Sequence, residues 1–144
     1  MKFPEIHHRF IQNRQAASAI EFAIVGPLFI LIIFGMIAYG IYLGAAINVE
    51  QLAADAARAS LAGLDEEERQ ELATEFIKTN SAEYMLIQPE HISVSVAASK
   101  IDPNQFKVAV RYDASQLPIW NLYLPIPLPE KIIERSSTIR IGGI

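Results

Sequence analysis

The longest run without a charged side chain extends from Phe22 to Ile47 and covers 26 residues. As an α-helix this run rises about 39 Å, which exceeds the roughly 30 Å of hydrocarbon in a bilayer. A buried core helix is the alternative, but a chain of 144 residues has too little other sequence to surround such a helix. The run therefore predicts a transmembrane helix, with its membrane-spanning part at about residues 22–44.

The charges that flank this run predict its orientation. Residues 1–15 contain three basic residues, Lys2, Arg9 and Arg14, and one acidic residue, Glu5. Residues 48–144 carry nine Lys or Arg against fourteen Asp or Glu. Because basic residues beside a membrane helix stay in the cytoplasm, we expect a cytoplasmic N-terminus and an acidic region outside it. The acidic balance disfavours nucleic acid as a partner.

A secretory signal peptide is the other reading of a basic start before an apolar segment. Its apolar part would be about 7–15 residues long, with small residues at a cleavage site after it. Here the apolar run is longer, and the small residues 16–19 precede it. We therefore expect an anchor that is retained.

The helix is predicted to continue beyond the membrane. The stretch AAINVEQLAADAARASLAGL is rich in alanine, the strongest helix former. Its apolar residues recur at helical spacing, at Val49, Leu52, Ala53 and Ala56. Gly63 is a plausible stop. One helix is thus predicted from about Ala17 to Ala62, which divides the chain into a basic leader (1–16), a long helix (17–64) and a head (65–144).

The head predicts a small α+β fold. Asp65 can cap a second helix, and Glu68 occupies the capping-box position. The apolar stripe of this helix is predicted at Leu72, Phe76 and Ile77. The helix is short, and the alternating patterns after it predict an antiparallel sheet, so the predicted fold class is α+β.

Two strands with period-two alternation follow the second helix. The stretches HISVSVAAS and QFKVAVRYD each place apolar residues on one face, and the Asp-Pro-Asn turn between them predicts an antiparallel pair. A third strand is predicted from about Lys131 to Ile141 as a partly buried edge strand.

The proline-rich segment (residues 115–130) has prolines at 118, 125, 127 and 129, and cannot be a central strand. Two readings of its Trp120 and Tyr123 stay open. These side chains pack into the core beneath a crossover loop, or they form a contact surface for a partner or for the outer leaflet of the membrane.

The sequence contains no set of catalytic residues. There is no cysteine, and His91 is the one histidine beyond the leader. No glycine-rich phosphate loop, HExxH or GxSxG motif occurs. We therefore expect a protein that is not an enzyme, with no cofactor, metal or small-molecule substrate. A weak GxxxG motif, Gly40 to Gly44, is compatible with close pairing of helices.

The stretch RQAASAIEFAIVGPLFILIIFGMIAYG resembles the TadE-like family of the tight-adherence (Tad/Flp) pilus system. The resemblance rests on a basic leader, small residues, Glu21-Phe22 and an aliphatic run that contains Pro27. It also extends to type IV pilin-like proteins, whose processed helices carry a glutamate at mature position five. Residues Arg14 to Gly40 carry the resemblance closely, and the head only in layout.

The resemblance implies a minor pilin or pseudopilin in the bacterial inner membrane that helps to assemble an adhesive pilus. Its partners would be other pilin-like subunits, Tad assembly proteins and a prepilin peptidase that cuts between Ala16 and Ala17. Glu21 would then be the fifth mature residue. Because Ala16 stands where prepilins usually have glycine, a single-pass membrane scaffold that is never cleaved stays open as the alternative.

Overall fold

The computed structural model describes the backbone of residues 6–142 and the side chains of residues 14–142. Its elements follow one another as α1 (Ile6–Ala59), α2 (Glu66–Asn80), β1 (Ile92–Ala98), β2 (Gln105–Asp113) and β3 (Ile132–Arg140). The chain divides into two compact units, Met1–Ile37 and Ala38–Ile144. The predicted α+β class, with a long helix, a short helix and a three-stranded antiparallel sheet, is confirmed.

Helix α1 is longer than the sequence predicted. It begins at Ile6 rather than near Ala17, because no glycine or proline between these positions interrupts a helical backbone. Its C-terminal end agrees with the prediction, since α1 stops at Ala59 and one 3₁₀ turn leads to Gly63. A Cβ on Gly63 would lie 2.8 Å from the backbone nitrogen of Arg69, so this close approach requires glycine.

Helix α2 begins at the predicted cap. The Asp65 carboxylate accepts a hydrogen bond from the backbone N–H of Glu68 at 2.8 Å, which satisfies one free donor of the first turn. The Glu68 carboxylate accepts in return from the backbone N–H of Leu64 at 2.7 Å, one residue before the cap. The predicted capping box is confirmed, with its second bond displaced by one residue.

The buried stripe of α2 differs from the predicted one. Arg69, Ala73 and Ile77 are buried, whereas Leu72 and Phe76 are only half-buried. The small Ala73 lies at the centre of the stripe, where a backbone can approach closely. The rule that large apolar residues mark the buried face therefore identified Ile77 correctly, but it missed Arg69 and Ala73.

The sheet has the strand order β1-β2-β3 and is antiparallel throughout. Val94 of β1 lies opposite Val110 of β2. Helix α2 covers the free edge of β1, because Gln70 accepts from the Val96 N–H at 2.7 Å and donates to the Val94 carbonyl at 3.1 Å. These bonds satisfy groups that an exposed edge strand would offer to another chain. The predicted third strand is present at the opposite edge.

The core of the second unit lies between the sheet and the part of α1 within that unit, which we call distal α1 (residues 38–59). The central strand β2 supplies the fully buried Val108, Val110 and Tyr112. Distal α1 supplies eight buried apolar residues: Ala38, Ala45, Ala46, Val49, Leu52, Ala53, Ala56 and Ala57. The buried face of the alanine-rich stretch is therefore covered within its own unit.

Candidate functional site

The first unit presents an apolar helical surface. Ile20, Phe22 and Met36 are exposed by 63%, 76% and 70%. The most apolar 18-residue window of the helix has a mean hydropathy of 2.5, and 6% of it is buried. Exposure of this kind is unfavourable in water, whereas lipid accommodates it. By length and composition, the N-terminal helix can cross a membrane.

Glu21 lies at the start of this surface and is exposed on α1. Among the side chains of residues 14–142, the ion pairs join Arg58 to Asp55 and Arg140 to Asp102, and neither involves Glu21. Neither of these two ion pairs provides a partner for the Glu21 carboxylate.

Pro27 lies inside α1, six residues after Glu21. Because proline has no N–H, the carbonyl of Ala23 lacks its usual helical donor. Neighbouring helices can satisfy such a freed backbone group inside a membrane. Pro27 is exposed in this unit, so its ring is open to contact by a neighbour.

The predicted processing site lies on a continuous helix. Ala16 and Ala17 are both exposed and both helical. Helix α1 starts at Ile6 and continues through them without a break. The cleavage between these residues remains a prediction.

The two glycines of the GxxxG motif have different surroundings in the second unit. A Cβ on Gly40 would meet nothing within 4 Å, whereas a Cβ on Gly44 would lie 3.2 Å from the Leu86 Cδ1. Leu86 has a φ of 67°, which is unusual for a residue with a side chain, and its carbonyl accepts from the Tyr112 hydroxyl at 3.2 Å. Leu86 thus covers Gly44, and the predicted helix pairing has open space only at Gly40.

Polar contacts that the sequence did not reveal fix the loop before β1 to distal α1. The Tyr84 hydroxyl donates to the Asp55 carboxylate at 2.6 Å, and the Asn48 side chain donates to the Met85 carbonyl. Burial and the hydrogen bond to Asp55 raise the pKa of the Tyr84 hydroxyl to about 12. In the sequence, the one sign of these contacts was Asn48, the polar residue directly after the uncharged run.

The proline-rich segment divides between the two predicted readings. Trp120 is half-buried against the core, and its Nε1 donates to the Ala114 carbonyl at 2.6 Å. Tyr123 is 90% exposed and has a φ of 47°. The core reading therefore describes Trp120, and Tyr123 is the residue available for contact.

The described residues do not form a metal site. Within residues 14–142, no group of three or more His, Asp or Glu side chains lies close enough to hold an ion. What this part of the chain does present is an apolar helical surface with a carboxylate at its start. Such a surface suits the contact of a helix with lipid and with other helices.

Comparison with known proteins yields one match. Residues 16–58 match the family model described as TadE-like protein. The matched stretch contains the Glu21-Phe22 pair and Pro27, so the resemblance predicted from the sequence is confirmed over residues 16–58. Residues 59–144 lie outside the match. No curated protein and no solved structure matched the chain.

Proposed function

We propose that this chain, TadE-like over residues 16–58, is a non-enzymatic, membrane-anchored component that helps to assemble a Tad/Flp-type adhesive pilus. It is inserted in the bacterial inner membrane with its basic N-terminus in the cytoplasm and the second unit outside. Its partners are other pilin-like subunits and the Tad assembly proteins. The observation that carries the proposal is the exposed apolar surface of α1, which begins at Glu21 within the family match.

Glu21 has a physical role in this proposal. A carboxylate in hydrocarbon costs a few kcal/mol, and less near the end of the span. After a cut before Ala17, the new ammonium group of Ala17 lies four residues before Glu21 on the same chain. The ammonium group of a neighbouring subunit at the same depth is the other partner for Glu21. In lipid, opposite charges attract strongly because water does not screen them. Their pairing sets the stagger between adjacent helices, with the open surfaces of Phe22, Pro27 and Gly40 as contacts.

The test is the variant Glu21→Leu in cells that lack the native protein. Leucine is at least as favourable for membrane insertion and as good a helix former, so the variant is made and inserted at normal abundance. We expect it to support few or no pili, and Glu21→Asp to be intermediate because the charge stays on a shorter side chain. Glu50→Leu is the matched control, since Glu50 is exposed on distal α1, beyond the uncharged run.

Processing is followed in the same samples, because a loss of cleavage would also reduce pilus assembly. Pili at the normal level in Glu21→Leu cells would show that the carboxylate has no part in assembly. An equal defect in Glu50→Leu would show that the effect is not specific to the start of the span.

A second candidate is an uncleaved single-pass scaffold of the same machinery. The observation that favours it is the unbroken helix through Ala16 and Ala17, because proteases cut exposed, irregular backbone more readily than helix. Mass spectrometry of the purified membrane protein separates the two candidates. A mature chain that starts at Ala17 supports the pilin, and an intact leader supports the scaffold.

A further inference from the structure

The proline-rich segment lacks charge over almost its whole length. Residues 115–129 contain no Asp, Glu, Lys or Arg, and Glu130 is the first charged residue. Tyr123 is exposed by 90%, while Leu124 and Leu128 are partly buried against the core. An uncharged stretch with an exposed aromatic ring at its tip is unusual for a loop that faces water on all sides.

A hydrogen bond fixes the level of this segment along distal α1. The Tyr39 hydroxyl donates to the Pro127 carbonyl at 2.5 Å. The β1–β2 hairpin is held near the opposite end of the second unit, because the Glu66 carboxylate at the start of α2 accepts from the Ala98 N–H at 3.0 Å. From Tyr39 to the end of α1 at Ala59 the helix rises about 30 Å. The proline-rich segment and the hairpin therefore lie at opposite ends of the second unit.

The length of the span determines where the hydrocarbon ends. The exposed apolar residues of the first unit extend from Ile20 to Ile37, which as a helix rise about 27 Å and nearly fill the roughly 30 Å of bilayer hydrocarbon. Beyond them Ala38 is fully buried within the second unit, so protein covers one face of the helix there, while Leu43 and Ile47 stay exposed. Tyr39 consequently lies at the depth of the interfacial layer, where tyrosine is enriched in membrane proteins.

From these observations we infer that the proline-rich segment rests in the outer interfacial layer of the membrane, with the Tyr123 ring among the lipid headgroups and upper acyl chains. The inference rests on the proposed membrane anchor. The occupant is lipid because the hydrogen bond holds the segment to Tyr39, two residues along the chain from the last apolar residue of the span.

The charges near the segment fit an apolar and aromatic contact. Lys131 has its Nζ 5.4 Å from the centroid of the Trp120 ring, which places one cation beside the segment. Arg111 and Arg135 line a nearby cavity together with Glu130 and Glu134. Because these charges nearly cancel, membrane contact does not require anionic lipid.

Single-cysteine labelling tests the inference, because the chain contains no cysteine of its own. Full-length Tyr123→Cys and Ile101→Cys proteins are labelled with a polarity-sensitive fluorophore and placed in phosphatidylcholine vesicles with a lipid spin-labelled near its headgroup. Ile101 is the matched control, since it is 96% exposed and lies in the hairpin. We expect the label at 123 to shift to the blue and lose most of its emission, and the label at 101 to do neither.

A third label, at Phe29→Cys in the exposed apolar surface, reports on the span itself and is read in vesicles whose lipid is spin-labelled deep in its acyl chain. A quenched label at 29 with an unquenched label at 123 overturns the inference and leaves the anchor intact. Unquenched labels at both positions overturn the proposed anchor. If the label at 123 becomes protected only when other Tad proteins are present, the surface belongs to a protein partner and the lipid contact is wrong.

Discussion

Distal α1 forms one wall of the core of the second unit, so the predicted head of residues 65–144 should not fold without it. The wall contributes Val49 and Leu52, both fully buried, together with six buried alanines. Burying a Val or Leu side chain is worth about 1.5–3 kcal/mol, and each alanine methyl about 0.8 kcal/mol. The whole wall therefore contributes about 10 kcal/mol as an upper bound, against a total stability of about 5–15 kcal/mol for a typical domain.

The assay compares two purified fragments by circular dichroism during heating. We expect residues 38–144 to melt in one cooperative transition, and residues 65–144 to show none. Within the longer fragment, Leu52→Ala should lower the free energy of unfolding by about 2–5 kcal/mol, because it leaves a cavity beneath the sheet. Gln51→Ala is the control, since Gln51 is exposed on the neighbouring position. Cooperative melting of 65–144 at the temperature of the longer fragment would refute the argument.

Two further substitutions probe single contacts in the second unit. Gly63→Ala should destabilise it by about 1–3 kcal/mol in chemical unfolding, because the added Cβ would meet the Arg69 backbone. Gly40→Ala is the control and should not destabilise it, since open space surrounds Gly40. Equal effects of the two substitutions would contradict this argument. For Tyr84, a pKa raised from 10.0 to about 12 stabilises the folded state fully below pH 10, and this stabilisation is lost as the pH rises through 12. The difference in unfolding free energy between the native protein and Tyr84→Phe should therefore shrink from pH 10 to pH 12. A constant difference would show that ionisation of the Tyr84 hydroxyl does not weaken its hydrogen bond to Asp55.

The sequence predicted the elements whose cause is local. The cap at Asp65 depends on side chains within one turn, and the antiparallel pairing of β1 and β2 depends on a period-two pattern with a turn between the strands. The long helix was predicted because a chain this short cannot surround an uncharged run of 26 residues as a buried core helix, which leaves a membrane helix. Its start near Ala17 was wrong, because no glycine or proline interrupts the backbone between Ile6, where the helix begins, and Ala17.

Features that depend on distant residues could not be predicted. Arg69 is a buried cation whose guanidinium lies 5.0 Å from the centroid of the Phe106 ring, 37 positions along the chain. Leu86 has a positive φ, its side chain covers Gly44, and its carbonyl accepts a hydrogen bond from the Tyr112 hydroxyl. No pattern in the loop itself indicates either contact. Of the candidate site residues, the sequence placed Glu21 and Pro27 on one helix, but it could not separate the roles of Trp120 and Tyr123.

The change in composition along α1 corresponds to a change in what surrounds the helix. Up to Ile37 the exposed side chains are large and aliphatic or aromatic, as suits contact with lipid tails. From Ala38 onward the buried face is mostly alanine, with Val49 and Leu52 as its larger members. Since this alanine face is already buried within its own unit, it is not free to contact a second helix. In the proposed pilus, contacts between the α1 helices of adjacent subunits must therefore use the apolar surface that begins beside Glu21 and the open side of the helix at Gly40.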